Sequence, residues 1–120
     1  MKILVLAAHP DDETLGCGGT IARLSDEGHE ISLITFTDGG SARFEDVKDD
    51  RRSTVTDACV ILGIKHNESY DFPDNRMDQV SMLEVTKTIE QFVNENSFLP
   101  DIVFTHSPYC LNVDHRIVSQ

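Results

Sequence analysis

Residues 3–13 read ILVLAAHPDDE, and this stretch decides the fold. Its first six residues are continuously apolar, which predicts a strand over 3–8 that is covered on both faces. The run is too short to span a membrane, and no small-residue cleavage site of a signal peptide follows it. Residues 12–26 come next, with helical spacing of the apolar residues Leu15, Ile21, Ala22 and Leu24. The stretch therefore predicts a buried strand that leads directly into a helix.

The rest of the chain alternates between strand and helix patterns. Further strands are predicted over residues 30–37, 64–72 and 101–105. Amphipathic spacing predicts helices over 51–62 and 82–93, and another helix that begins at 114. Because helix-length crossovers join parallel strands, we expect one α/β domain with a mostly parallel sheet and helices on both faces. A doubly wound order 3-2-1-4 would place the crevice at the carboxyl ends of strands 1 and 4.

The end of the sequence bears on the domain organisation. The last predicted helix opens at Asp114, and the sequence stops at Gln120 without a glycine to end that helix. A doubly wound sheet with so few strands is also thin. We therefore expect residues 1–120 to form a single domain that is the N-terminal portion of a longer one. An exposed edge on a short sheet would favour assembly, so a homo-oligomer is a candidate state.

The charge balance excludes several classes of function. Lys and Arg number 10 against 21 Asp and Glu, which gives a formal net charge of −11. Such a surface repels phosphate backbones and anionic lipid, so we expect neither a nucleic-acid nor a membrane partner. A neutral or polyol-like small molecule fits better. Cys17, Cys59 and Cys110 are odd in number and lack C-x-x-C spacing, which indicates reduced thiols and a cytoplasmic protein.

Two groups of polar residues follow the predicted strands 1 and 4. HPDDE at 9–13 could be only an acidic helix start, with its carboxylates at the positive end of the helix dipole. A histidine gains nothing at that end, so His9 argues for a further role. His106 and NVDHR at 112–116 could likewise be a helix cap with a solvated His-Arg pair. Two such groups at the expected crevice together indicate a functional site.

The residue types at these strand ends suit a catalytic metal. Two imidazoles and one carboxylate, with a further position left to water, are typical of catalytic zinc. His9 and Asp12 lie three residues apart across a strand-to-helix turn, so both can face one point, and His115 supplies the third ligand. Adjacent side chains diverge, which leaves Asp11 free to act as a base toward metal-bound water. Zn²⁺ is the first choice, although such a site also accepts other divalent transition metals.

These segments resemble the motifs of a known family. Residues 8–20, AHPDDETLGCGGT, resemble the signature of the LmbE-like or PIG-L family of metal-dependent N-deacetylases. NVDHR at 112–116 resembles the second motif of that family. The resemblance implies a Rossmann-like fold, with acetylated amino sugars or their conjugates as substrates and a free amine and acetate as products. It also implies the metal ligands His9, Asp12 and His115, with Asp11 as the general base.

The resemblance implies supporting roles as well. Asp114 would contribute to catalysis by orienting a neighbour of the metal, and Arg52 is a candidate for substrate contact. Many relatives have a histidine where this chain has Asn112, and others pair an Asn there with an Asp two residues earlier, at Cys110. Asn112 can donate a hydrogen bond to substrate but cannot shuttle a proton. His106 could donate to substrate or serve only the structure, and Cys110 could be an extra ligand, a redox liability or neither.

Three alternatives stay open at this point. A nucleotide-binding module is suggested by GCGG at 16–19, but Ile21 occupies the place of the third glycine of G-x-G-x-x-G. A truncated or inactive family member could bind metal and sugar without turnover. A metal phosphohydrolase is the weakest alternative, because the sequence offers no further carboxylate cluster for a second metal.

Overall fold

The computed structural model describes residues 1–37, 52–73 and 76–120, in which strands and helices alternate. The strands are β1 (Lys2–Ala7), β2 (Glu30–Thr35), β3 (His66–Ser69) and β4 (Ile102–Phe104). The helices are α1 (Asp12–Asp26), α2 (Arg52–Leu62), α3 (Met82–Glu95) and α4 (Val113–Ser119), and a short 3₁₀ helix covers Met77–Gln79. None of the helices in these ranges is long and apolar enough to cross a membrane.

The strands form one parallel sheet in the order β3-β2-β1-β4. This arrangement confirms the predicted α/β fold and the predicted strand order. β2 and β3 are shorter than predicted, but backbone bonding continues beyond them. The N–H of Phe36 donates to the carbonyl of Ala7 at 3.0 Å, and the N–H of Phe72 donates to the carbonyl of Phe36 at 2.9 Å. The strands predicted over 30–37 and 64–72 therefore correspond to the full run of backbone hydrogen bonds, which extends beyond β2 and β3.

β1 contributes to both cores of the molecule, because successive side chains of a strand point to opposite faces of its sheet. Leu4 and Leu6 face a core that is completed by α3 and α4, whose buried side chains there include Phe92 and Val118. The neighbouring residues of β1 face the second core, where α1 and α2 supply Ile21, Val55 and Cys59. Helices thus cover both faces of the sheet, as predicted.

Two apolar residues of α1 differ in burial. Leu15 is 81% exposed, whereas Ile21 is fully buried. The two positions lie six residues apart, so they are on different faces of a helix with 3.6 residues per turn. The backbone at Cys17, with φ −147° and ψ 23°, also interrupts the helical conformation between them.

Candidate metal centre

The two predicted groups of polar residues meet at one end of the sheet. β1 and β4 are parallel neighbours, so their carboxyl ends open on the same side. His9 follows the end of β1 by two residues, and His106 follows the end of β4 by two. α4 begins beside them, with Asp114 and His115 in its first turn. The site thus lies where the strand order reverses, the usual position of sites in open α/β sheets.

Three candidate ligand atoms form a small triangle at this point. Nδ1 of His9 lies 3.2 Å from Oδ2 of Asp12 and 3.2 Å from Nε2 of His115. Nε2 of His115 lies 3.0 Å from the same Asp12 oxygen. Within the described ranges, His9, Asp12 and His115 are the residues grouped closely enough to hold a metal ion.

The donor set and its spacing fit a tetrahedral ion. Zinc bonds of about 2.0–2.1 Å at tetrahedral angles place neighbouring ligand atoms roughly 3.3–3.4 Å apart. The three separations of 3.0–3.2 Å are close to that value. Three protein ligands also leave a position for water, which is the arrangement of a catalytic site and not of a closed structural site.

The outer nitrogen of His9 contacts a buried carboxylate. Nε2 of His9 lies 2.8 Å from Oδ2 of Asp114, whose side chain is completely buried. The other oxygen of Asp114 accepts the backbone N–H of Met77 at 2.9 Å. A carboxylate in this position fixes the imidazole with its proton on Nε2 and its lone pair on Nδ1, toward the triangle. This geometry suits the predicted orienting role of Asp114.

The outer nitrogen of His115 contacts a thiol instead. Sγ of Cys110 lies 3.3 Å from Nδ1 of His115, on the side of the ring away from the triangle. Asn112 lies between these two residues and caps α4, since its Oδ1 accepts the N–H of Asp114 at 2.9 Å and of His115 at 3.4 Å. A substrate contact from Asn112 would therefore use its amide nitrogen.

His106 ties the end of β4 to the end of β1. Its Nε2 accepts the backbone N–H of Ala8 at 2.9 Å, and its ring stacks on His115 with a centroid separation of 3.9 Å and an interplanar angle of 14°. Burial, followed by the neighbouring charge of His115, lowers the pKa of His106 from 6.5 to about 4. The imidazole is thus neutral at pH 7, and any donation to substrate would come from Nδ1.

The pKa values of two adjacent carboxyl groups, those of Asp12 and Glu13, are shifted in opposite directions. Burial alone would raise the pKa of Asp12, but its contacts with the side chain and backbone of His9 and with His115 hold that pKa below its ordinary value. Burial raises the pKa of Glu13, which is 2% exposed and whose Oε2 has no hydrogen-bond partner among the described residues. The sequence pattern treats Glu13 as an ordinary acid of the first helical turn, and nothing in that pattern indicates its burial. Asp12 is thus the carboxylate prepared to be a ligand.

Two further predicted residues are Asp11 and Arg52. Asp11 directly precedes α1 and has a left-handed backbone conformation, with φ 86°. Arg52 begins α2, but its side chain lies outside the described part of the chain. A cavity of about 330 Å³ opens beside Asp12 and His106, with Phe104, Cys17 and Glu13 among its other lining residues. Its size and mixed walls suit part of a small organic substrate.

Comparison with known proteins identifies the family. The model of the family described as PIG-L, GlcNAc-PI de-N-acetylase, matches residues 4–120. The chain belongs to the PIG-L family. This match confirms the membership that residues 8–20 and 112–116 indicated, and it includes both strand ends at the site.

Individual relatives of this PIG-L chain include named deacetylases. It is 31% identical over 124 residues to the diacetylchitobiose deacetylase of Thermococcus kodakarensis, covering 96% of this chain and 45% of that protein. It is 38% identical over 87 residues to the uncharacterized deacetylase YaiS of Escherichia coli, covering 68% of this chain and 46% of that one.

A solved structure extends the comparison to the fold. The N,N'-diacetylchitobiose deacetylase of Pyrococcus horikoshii, solved with an inhibitor, superposes with a TM-score of 0.80 at 30% identity and covers 98% of this PIG-L chain. The chain spans about half the length of these relatives.

Proposed function

We propose that this PIG-L chain carries the metal-binding half of a zinc-dependent N-deacetylase, which removes the acetyl group from an amino sugar or its conjugate. The observation that carries the proposal is the triangle of ligand atoms from His9, Asp12 and His115. Both imidazoles already direct a nitrogen into that triangle while the opposite nitrogen contacts another side chain. The names of the relatives supply the substrate class, since diacetylchitobiose is an acetylated amino sugar.

Each residue of the site has a place in amide hydrolysis. A divalent metal bound by His9, Asp12 and His115 would lower the pKa of a water molecule and polarise the acetyl carbonyl. Asp11 accepts a proton from the attacking water and delivers one to the amine nitrogen as the carbon–nitrogen bond breaks. Asp114 holds His9 in the tautomer that directs Nδ1 inward. The products are a free amine on the sugar and acetate.

The remaining predicted residues lie on the substrate side in this proposal. His106 would donate through Nδ1 and Asn112 through its amide nitrogen, because their other polar atoms already hold the backbone. Arg52 would contact a polar group of the sugar. The cavity beside Asp12 would receive the part of the substrate next to the acetamide. A cytoplasmic location, assembly as a homo-oligomer, and the absence of nucleic-acid or membrane partners stay predictions.

Metal content per chain tests the proposal first. We expect about one transition-metal ion per chain in the purified parent protein after zinc is supplied, and loss of that metal in His9→Ala. His66→Ala is a matched control, since His66 lies on β3 at the far edge of the sheet. The control should keep the metal. Full metal content in His9→Ala would remove His9 from the ligand set.

Acetate and amine release from diacetylchitobiose tests the reaction itself. Metal-dependent release by the parent chain, and none by His9→Ala, would support the deacetylase. One metal per chain without release from any acetylated amino sugar would instead support a metal- and sugar-binding family member that has no turnover. Tight nucleotide binding by the metal-free chain would favour the nucleotide-binding alternative.

A further inference from the structure

The two candidate histidine ligands have outer partners of different chemistry. Nε2 of His9 contacts the buried carboxylate of Asp114 at 2.8 Å, whereas Nδ1 of His115 contacts the thiol of Cys110 at 3.3 Å. The carboxylate of Asp114 also accepts the backbone N–H of Met77, so it joins His9 and the 3₁₀ helix in one hydrogen-bond network. The function proposed above uses the contact between the thiol and His115 only as a sign of how the ring is oriented, and it assigns no chemical role to Cys110.

The position of the thiol is set by backbone contacts of its own loop. The N–H of Cys110 donates to the carbonyl of Ser107 at 3.3 Å. Nη1 of Arg116, on α4, donates to the carbonyls of Cys110 and Leu111 at 3.2 and 3.3 Å. α4 itself is capped by Asn112. The loop and the helix that carries His115 are thus joined on both sides of the thiol.

The geometry separates the thiol from the ligand positions. The group of ligand atoms that lie within 4.8 Å of one another contains His9, Asp12 and His115, and the sulfur of Cys110 is outside it. The sulfur contacts Nδ1 of His115, whereas Nε2 of the same ring faces Asp12 at 3.0 Å. The sulfur therefore lies behind the imidazole.

The tautomer of His115 defines what the thiol can do. If Nε2 is to bind a metal, its lone pair must face the metal, and the single ring proton then resides on Nδ1. That N–H points at the sulfur of Cys110, which can accept it. A thiol that donated its own proton to Nδ1 would force the ring proton onto Nε2 and block metal binding. Metal binding therefore requires the sulfur to be the acceptor.

We propose that Cys110 is a positioning residue that accepts the Nδ1–H of His115, so that Nε2 keeps the tautomer and orientation needed for a metal ligand. This inference rests on the proposed function for the identity of the ligands. Cys110 itself does not touch the metal or the substrate. It acts through His115, as Asp114 acts through His9, but with a neutral and weaker acceptor in place of a carboxylate.

Zinc affinity of the whole chain, measured by competition with a chelator, tests the role of Cys110. We expect Cys110→Ala to lower the affinity about 10- to 100-fold, as for other residues that orient a metal ligand. Cys110→Ser retains an acceptor and should recover part of the loss. Leu111→Ala is the matched control, because Leu111 is on the same loop and 94% exposed, and it should bind zinc as the parent does. An affinity of Cys110→Ala within twofold of the parent would overturn the proposal.

The absorption spectrum of the cobalt-loaded protein separates positioning from direct ligation. A thiolate bound to cobalt gives an intense charge-transfer band, and a sulfur behind the imidazole gives none. We expect no such band in the parent and a shifted ligand-field spectrum in Cys110→Ala. A charge-transfer band that disappears in Cys110→Ala would make Cys110 a ligand and refute its positioning role.

The zinc experiment also distinguishes this inference from the proposed function. Loss of affinity in Cys110→Ala together with no deacetylation by the metal-loaded parent would leave the positioning role intact and refute the hydrolase. Deacetylation with unchanged zinc affinity in Cys110→Ala would do the reverse. A parent chain that binds no zinc would refute both.

Discussion

The two strand ends that meet at the metal centre are built in different ways. After β1, both ligands lie within one tight turn, and the backbone N–H of His9 donates to the Asp12 carboxylate at 3.0 Å. After β4, an eight-residue connection, whose exposed members include Tyr109 and Leu111, leads to α4, and the single ligand His115 is the third residue of that helix. The first end is positioned by the sheet and α1, and the second by side-chain contacts.

The comparison shows that a loop can position a metal-binding side chain as well as the end of a strand can. The connection after β4 contacts the centre through the stacking of His106, the thiol of Cys110 and the helix cap of Asn112. Asp114 then links the two ends, because it is on α4 yet contacts His9. Among residues that do not themselves bind the metal, changes at the β1 end should therefore affect the rate of deacetylation, and changes at the β4 end should affect the affinity for zinc.

The largest effect should come from the β1 end, with Asp11→Asn. The variant keeps the shape of the side chain but cannot accept a proton, so deacetylation should fall by about 10²- to 10⁴-fold. Metal content should not change, since His9, Asp12 and His115 are retained. Asp26→Asn, at the exposed end of the same helix, is the control and should behave as the parent. Deacetylation at the parental rate in Asp11→Asn would remove Asp11 as the base.

The next largest effect should come from Asp114→Ala, because Asp114 links the two ends. Zinc affinity should fall about 10- to 100-fold because His9 loses the acceptor for Nε2. The free energy of unfolding should fall by about 1–3 kcal/mol, because the buried N–H of Met77 also loses its acceptor. Urea unfolding of the metal-free protein and chelator competition measure the two losses separately.

Asp114→Asn and Cys110→Ala sharpen this comparison. The asparagine keeps an oxygen for the N–H of Met77, so most of the stability should return while the zinc affinity stays low. Cys110→Ala should lower zinc affinity with little change in the free energy of unfolding. A destabilisation by Cys110→Ala as large as that by Asp114→Ala would show that Cys110 stabilises the fold and does not act only by orienting His115.

The β1 end is the part that sequence predicts best. Its residues follow a strand directly, so strand order and residue spacing bring His9 and Asp12 together without knowledge of distant contacts. The same reasoning predicts that His115 joins them, because parallel neighbours end on the same side of a sheet. Details of the helix that follows are harder to predict, since the backbone interruption at Cys17 has no counterpart in the apolar pattern.

Two of the contacts that hold the site are non-local and could not be predicted. The N–H of Met77 lies 37 residues from the Asp114 oxygen that accepts it, and Ala8 lies 98 residues from His106. No periodicity relates such positions. Glu13 is a further case, because its burial depends on how α1 packs on the sheet and not on its place in the first turn.

The last expected effect tests the β4 end through pH. His106 has a folded pKa of about 4 against an ordinary value of 6.5, because burial and the charge of His115 disfavour its protonated form. Between these values the unfolded chain binds more protons than the folded chain, so stability falls as pH drops through this window. From pH 7 to pH 5 the contribution of His106 to the free energy of unfolding should fall by about 2 kcal/mol.

The variant His106→Gln tests this expectation, because it retains an oxygen for the N–H of Ala8 but does not titrate. In metal-free protein the parent should therefore lose about 2 kcal/mol more than this variant over the same pH range. Equal losses would mean that His106 is protonated as readily in the folded state as in the unfolded state, and that its contact with Ala8 does not hold the β4 end.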